Sequence, residues 1–396
     1  MLSLNNCKAG AKVENTEKIA ILQKLIQIQS VNGNEAAVAR YLASLFEPYR
    51  ESAQVEFVTY SPGRDNLVVT IGHPNGKQLG LSGHEDVVDP GDLSQWHHDP
   101  FAGEIVDGQL YGRGASDMKS GLAAIVIAML ELLADKTPLK GSIRLLATVG
   151  EETGEYGAAQ LTKAGYADQL AGLVIAEPTG LDKIAYTARG VIDYHVDSIG
   201  KSVHSAQSTK GINAIDNLIV FYNEITAMMQ GLDKIDPVLG GLLHNVDLIS
   251  GGEQINTIPG KARLSANVRT IPAYPNQMIY DILEKLVHRL NDRSGFQLKL
   301  SYSYPEEAIP GRPDAPLVKL AQKIGHRIIG NRVIPVGSGG ASDASEFLQS
   351  KARFSAIVYG PGTNTSHEAD EYVEIDEFLQ ATVLYRKLAL AFLEGE

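Results

Sequence analysis

The sequence predicts an α/β fold in which one sheet domain is interrupted by a smaller inserted domain. Short, nearly continuous apolar runs alternate with helical patterns, which argues for an open mixed sheet with helices on both faces. The middle of the chain instead orders its elements β-α-β-β-α-β, the ferredoxin-like arrangement. The length, 396 residues, suits about two domains at roughly 100–200 residues each.

Taken in order, residues 16–29 and 35–47 carry helical periodicity. Apolar strands follow at 66–72 (NLVVTIG), 79–83 (LGLSG), 142–150 (SIRLLATVG), 172–177 (GLVIAE) and 355–361 (SAIVYGP). Long helical patterns cover 119–134, 314–329 and 376–393. The inserted pattern runs strand 188–200, helix 213–229, strands near 245–257 and 261–271, helix 276–290 and strand 296–304. The expected domains are therefore 1–182 with 306–396, and 183–305 between them.

Composition narrows the function. The charge of −12 disfavours binding to phosphate backbones, so no nucleic-acid partner is expected. No apolar run approaches a membrane span, and residues 1–18 lack the apolar core of a secretory signal. A single cysteine, Cys7, excludes an internal disulfide and reads as a bystander in a polar leader. These features predict a cytoplasmic protein.

The chemistry is expected beyond the carboxyl ends of the sheet strands, where open α/β sheets bind ligands. Strand 79–83 runs into His84, Glu85 and Asp86; strand 142–150 runs into Glu151 and Glu152; strand 172–177 ends at Glu177. His367 lies in the loop after strand 355–361, and Asp117 just precedes helix 119–134. Singly, each has an ordinary explanation: a hydrogen-bonded strand-end histidine, a solvated loop or a helix N-cap. Their joint placement points to one site. Crowded carboxylates resist ionisation unless something positive neutralises them. The nearby loops offer Arg113 and Lys119. A divalent metal is the simpler neutraliser, and mixed imidazole and carboxylate donors suit zinc, cobalt or manganese. Five candidate ligands exceed the three that one catalytic zinc takes from protein, so two ions sharing a carboxylate are expected.

Other features carry less weight. GRGASD (112–117) and GSGGASD (337–343) are not phosphate-binding signatures. His97 and His98 are adjacent on a turn and ill-placed to chelate one ion. Ser205 and Ser366 adjoin histidines without a nucleophile elbow.

The segments GHEDVVDPGDLSQWHHDPF, GRGASDMKSG, ATVGEETG, GLVIAEPTG and TSHEADEY resemble the ArgE/DapE/aminoacylase/carboxypeptidase family of dinuclear zinc hydrolases across essentially the whole chain. The resemblance implies a zinc-peptidase-like catalytic domain and an inserted lid that forms a homodimer. It implies that His84 and Glu177 hold one metal, Glu152 and His367 the other, and Asp117 both, with a cis peptide to Met118. Asp86 would orient His84, and Glu151 would be the general base, activating a metal-bridging water for attack on an amide carbonyl. In the lid motif GKSVHSAQSTKGINAI, His204 would reach the partner subunit's site. Asn256, Arg269 and Gly340 match substrate-contacting positions. One departure is Ser208, where the lid motif usually has proline.

The implied substrate is a small N-acylated amino acid or short peptide. GGASDA, NVR and the final loop lean toward succinyl-diaminopimelate desuccinylase, hence lysine biosynthesis. The lid motif is nearer to acetylornithine deacetylase and aminoacylase, and dipeptidases or carboxypeptidases are the further alternative.

Overall fold

A computed structural model describes residues 13–395; Cys7 lies outside the described residues. The chain divides into two units. One runs to Tyr186 and resumes over Gly311–Val336 and from Ser342 onward; the other comprises Thr187–Pro310 and Gly337–Ala341.

The first unit is organised by an eight-stranded mixed sheet. Its order is Ala53–Ser61, Arg64–Gly72, Gly141–Thr148, Lys77–His84, Gly172–Pro178, Ser355–Gly360, Lys183–Ala188 and Ile334–Ser338. The four strands from Gly141–Thr148 to Ser355–Gly360 are mutually parallel, and the two before them are antiparallel. Parallel neighbours need crossover helices, which cover both faces and leave no polar side to the strands. Leu79, Leu81, Ile143, Leu145, Val174 and Ala176 accordingly face one core with helix Lys119–Ala134. Their alternates Leu146, Leu173 and Ile175 are buried as well.

Helix Lys119–Ala134 packs on the sheet beneath helices Asn15–Gln27 and Ile375–Glu394. All its residues but Leu133 are buried, so it is apolar all round rather than amphipathic. Gly121 permits its close approach, because a Cβ there would meet the Ala176 carbonyl oxygen at 2.0 Å. The helix that follows Asp117 thus lies directly against the strand Gly172–Pro178, which carries Glu177 near its end.

The second unit is a four-stranded antiparallel sheet in the order Leu243–Gly251, Lys261–Thr270, Gly190–Ile199, Leu298–Glu306. Helices Ala214–Gln230 and Asn276–Asn291 pack against it through Leu218, Phe221 and Ile225, and through Ile279, Leu283 and Leu290. The chain order is the β-α-β-β-α-β expected. Burial alternates strictly along Lys261–Thr270, as it must where only one sheet face is covered.

Three strands of the eight-stranded sheet were not legible. Ala53–Ser61 lies at the sheet edge, exposes Phe57 and Tyr60, and lacks a continuous apolar run. Lys183–Ala188 and Ile334–Ser338 are short and at the opposite edge. The strand expected near 245–257 stops at Gly251, and the following residues form a loop to Lys261.

Candidate metal centre

Parallel alignment brings the expected residues to one edge of the sheet. His84 pairs in register with Thr148, and Ser82 with Ile175, so two residues further along each strand His84 and Glu177 are level. Gly150, at φ 70°, turns the chain out of the sheet in the left-handed conformation that glycine tolerates best, and the single turn Glu151–Thr153 follows. Asp117 precedes helix Lys119–Ala134, and its peptide bond to Met118 is cis. His367, at φ 65°, comes from the loop after Ser355–Gly360.

The side chains converge. His84 Nε2 lies 3.1 Å from Asp117 Oδ1 and 3.5 Å from Glu177 Oε1. His367 Nε2 lies 3.1 Å from Glu152 and 3.5 Å from Asp117 Oδ2. The two oxygens of Asp117 therefore face different histidines. Potential ligand atoms gather within 4.8 Å of one another in two groups, His84 with Glu151 and Glu177, and His84 with Asp117 and Glu152. Glu151 thus stands beside the pair His84 and Glu177.

Asp86 acts at two places. Its backbone carbonyl, which can only accept, lies 2.9 Å from His84 Nδ1. That assigns the proton to Nδ1 and turns the Nε2 lone pair toward the carboxylates. The Asp86 carboxylate is further from Nδ1, at 3.7 Å, and accepts instead the N–H groups of Gly150 (3.0 Å), Glu151 (3.2 Å) and Glu152 (3.2 Å).

Electrostatics describe a site short of positive charge. Burial, reinforced by Glu177, Asp343 and Glu152 and opposed by His84, pushes the Glu151 carboxyl well above its ordinary range. Glu177 rises likewise through burial and the nearby Asp117. Burial would lower His84, but Glu177, Asp117 and Glu151 outweigh it and hold the ring well above its usual value. Burial would raise Asp117, yet the two histidines keep it low. The two local cations are engaged elsewhere. Arg113 pairs with Glu371 at 2.6 Å, and Lys119 Nζ donates to the carbonyls of Leu25 (3.0 Å) and Ile28 (2.7 Å). Burial brings Lys119 down to about 7. Two imidazoles and four carboxylates with no fixed cation among them are a donor set that divalent ions fit.

Four expected residues belong to the other unit. His204 is exposed; its Nδ1 accepts the Ala206 N–H at 3.2 Å. Asn256 is exposed on the adjoining loop, where its carbonyl accepts the Ser205 N–H. Arg269 is half-buried on Lys261–Thr270, opposite Val191. Lys261–Thr270 is an interior strand, and Asp197 on its neighbour bonds Arg263, at 2.8 Å, rather than Arg269. Gly340 is exposed in a turn closed by Ser338 Oγ. His97 and His98 each pair with an acid, Asp370 at 2.6 Å and Glu104 at 2.9 Å.

Sequence reasoning missed two buried acids. Glu371 binds the loop that carries Asp117. Asp343 bonds Thr148 Oγ1, and burial raises it to about 7. The segment HEADE offers three acids, and nothing in its spacing marks Glu371 as the buried one.

Residues 80–391 match the model of peptidase family M20/M25/M40. The chain belongs to this family. It is 34% identical over 405 residues to a Staphylococcus epidermidis protein named "Probable succinyl-diaminopimelate desuccinylase", covering 96% of this chain and 98% of that one. The fold matches the M20 metallo-carboxypeptidase of Sulfolobus solfataricus with a TM-score of 0.76 at 18% identity, covering 94% and 99% of the two chains. It also matches a dinuclear metal-binding M20 peptidase of Bacillus subtilis with a TM-score of 0.70 at 18% identity, covering 96% and 99%. As an M20-family protein, the chain is a hydrolase of amide bonds. Among the described residues no helix is long and apolar enough to cross a membrane.

Proposed function

We propose that this M20-family hydrolase removes the succinyl group from N-succinyl-diaminopimelate, with two divalent ions, in the cytoplasm. The observation that carries the two-metal reading is Asp117, whose oxygens face His84 and His367 separately. The substrate reading is supported by the similarity to the staphylococcal relative over nearly the full length of both chains. The single cysteine suits a reducing compartment.

Zinc, or cobalt or manganese in its place, held by His84 and Glu177, by Glu152 and His367, and by Asp117 between them, would supply Lewis-acid polarisation of the carbonyl and acidify a water. Glu151 takes the proton of the attacking water and returns it to the departing amine. Its raised affinity for a proton suits a group that must both accept and release one. Asp86 fixes the Glu151 backbone and the His84 tautomer together. His204 donates to the developing oxyanion. Arg269, with no ion pair among the described residues, grips a substrate carboxylate; arginine's planar fork suits that task. Asn256 and Gly340 contact the acyl end.

The same reading includes a homodimer through the inserted unit, with His204 serving the partner subunit. Its edge strand Leu243–Gly251 exposes Leu243, Leu248 and Ile249, and the neighbouring helix Ala214–Gln230 exposes Ile219 and Tyr222. Such an edge is a template for pairing with a second copy.

The test is a panel of N-succinyl-diaminopimelate, N-acetylornithine, other N-acetyl amino acids and dipeptides, each with zinc, cobalt or manganese. The succinyl substrate should give the highest kcat/KM. A higher value for an acetyl substrate or a dipeptide would overturn the substrate assignment.

A further inference from the structure

Glu371 is fully buried four residues beyond His367, and every lone-pair direction of its carboxylate meets a donor. Oε1 accepts the N–H groups of Ser116 and Asp117, both at 2.8 Å. Oε2 accepts the Gly114 N–H at 3.0 Å and Arg113 Nη1 at 2.6 Å. The Glu371 backbone carbonyl accepts the Gly112 N–H at 2.8 Å. One residue therefore takes four of the six backbone N–H groups of the irregular loop 112–117, whose buried N–H groups need partners; those of Arg113 and Ala115 go to the Pro100 and Gly112 carbonyls.

The geometry points to more than loop stability. The 112–117 loop delivers Asp117, and the 361–371 loop delivers His367. Besides Glu371, Ser116 Oγ links them by donating to the Thr363 carbonyl at 3.0 Å and accepting the Thr363 N–H at 2.9 Å. We propose that Glu371 is a positioning residue that sets Asp117 against His367 and so governs the affinity of the ion these two share. This rests on the two-metal reading above. A glutamine would keep the volume but turn an NH2 group toward N–H donors on one side. The loop would then shift away from that side, carrying Asp117 with it.

The network also reaches a reporter. The Arg113 guanidinium lies 5.2 Å from the ring centre of Trp96, the only tryptophan in the chain. A change at Asp117 reaches this ring through Glu371 and Arg113, so Trp96 emission should follow metal loading.

The experiment titrates metal-free full-length protein with ZnCl2 and, separately, CoCl2. It follows calorimetric stoichiometry, Trp96 emission and the visible absorption of bound cobalt in wild type, Glu371→Gln and Arg113→Lys. Expected are one ion bound as in wild type, at least tenfold weaker binding of the other in Glu371→Gln with shifted cobalt bands, and a several-fold weakening in Arg113→Lys. The metal concentration for half-maximal activity should move by the same factor. Binding of both ions within twofold of wild type, with unchanged cobalt bands, would overturn the proposal. If Glu371→Gln does not fold, Arg113→Lys decides by the same criteria; failure of both to fold would make the role purely structural and also overturn it. A wild-type protein that binds a single ion refutes the two-metal reading alone, and the effect of Glu371 is then read on that ion.

Discussion

The Asp86 carboxylate accepts the backbone N–H of Glu151 at 3.2 Å while the Asp86 carbonyl holds Nδ1 of His84 at 2.9 Å. One residue thus aligns the proposed base and a proposed metal ligand at the ends of neighbouring strands. Removing the carboxylate frees three N–H groups of residues 150–152 but leaves the carbonyl contact. Asp86→Ala should therefore keep most of its metal and lose roughly 10–100-fold in kcat, the usual cost of disturbing an outer partner. Metal content and kcat measured on the same preparation check this. Loss of metal with unchanged kcat per loaded site would contradict it.

Glu151→Gln should fold and load metal as wild type does, with kcat lower by about 10²–10⁴-fold, the usual contribution of a general base. The amide retains the shape at the position beside His84 and Glu177 but cannot take a proton. More than a third of wild-type turnover at saturating metal and substrate would reassign the base.

Stability of the metal-free protein should fall as pH rises through neutrality. Glu151, Glu177 and His84 all bind protons more tightly when folded than at their ordinary values of 4.5, 4.5 and 6.5. Their contribution is complete below those values and is lost as pH climbs through the raised ones. Two groups have the opposite sign: the Asp117 contribution is lost only as pH falls below its ordinary 3.8, outside this window, and Lys119, brought down to about 7, adds a rise above that value that the three raised groups, joined by Asp343 at about 7, outweigh. Thermal melts of chelator-treated protein between about pH 6.5 and 8.5 should show a declining Tm. Excess zinc should flatten the decline, because metal replaces those protons. A metal-free Tm that rises over this range would contradict the assignment.

His204→Ala and Glu151→Gln chains should each be nearly inactive alone. If His204 serves the opposite subunit, mixing them creates heterodimers with one intact site, and activity returns. Absence of recovery after subunit exchange has been demonstrated by mass spectrometry would rule out the trans arrangement.

Much of the centre was legible because parallel strands end together: His84, Glu151, Glu152 and Glu177 follow apolar runs that the sheet brings to one edge. Asp117 was legible from its place ahead of a helix. Glu371 was not, since burial alone separates it from Glu368 and Asp370. The partner of Asp197 was not legible either. Antiparallel register sets Arg263 rather than Arg269 across from it, and a hydrophobic pattern that repeats every two residues leaves shifts by two undetermined. The edge strand Ala53–Ser61 escaped because edge strands keep polar, exposed positions.

The most direct measurement is anomalous diffraction at the zinc edge from crystals of fully loaded enzyme. Two peaks about 3.5–4 Å apart, with one Asp117 oxygen on each, are the predicted result. A single peak at full loading, with Asp117 uncoordinated, would contradict the two-metal centre.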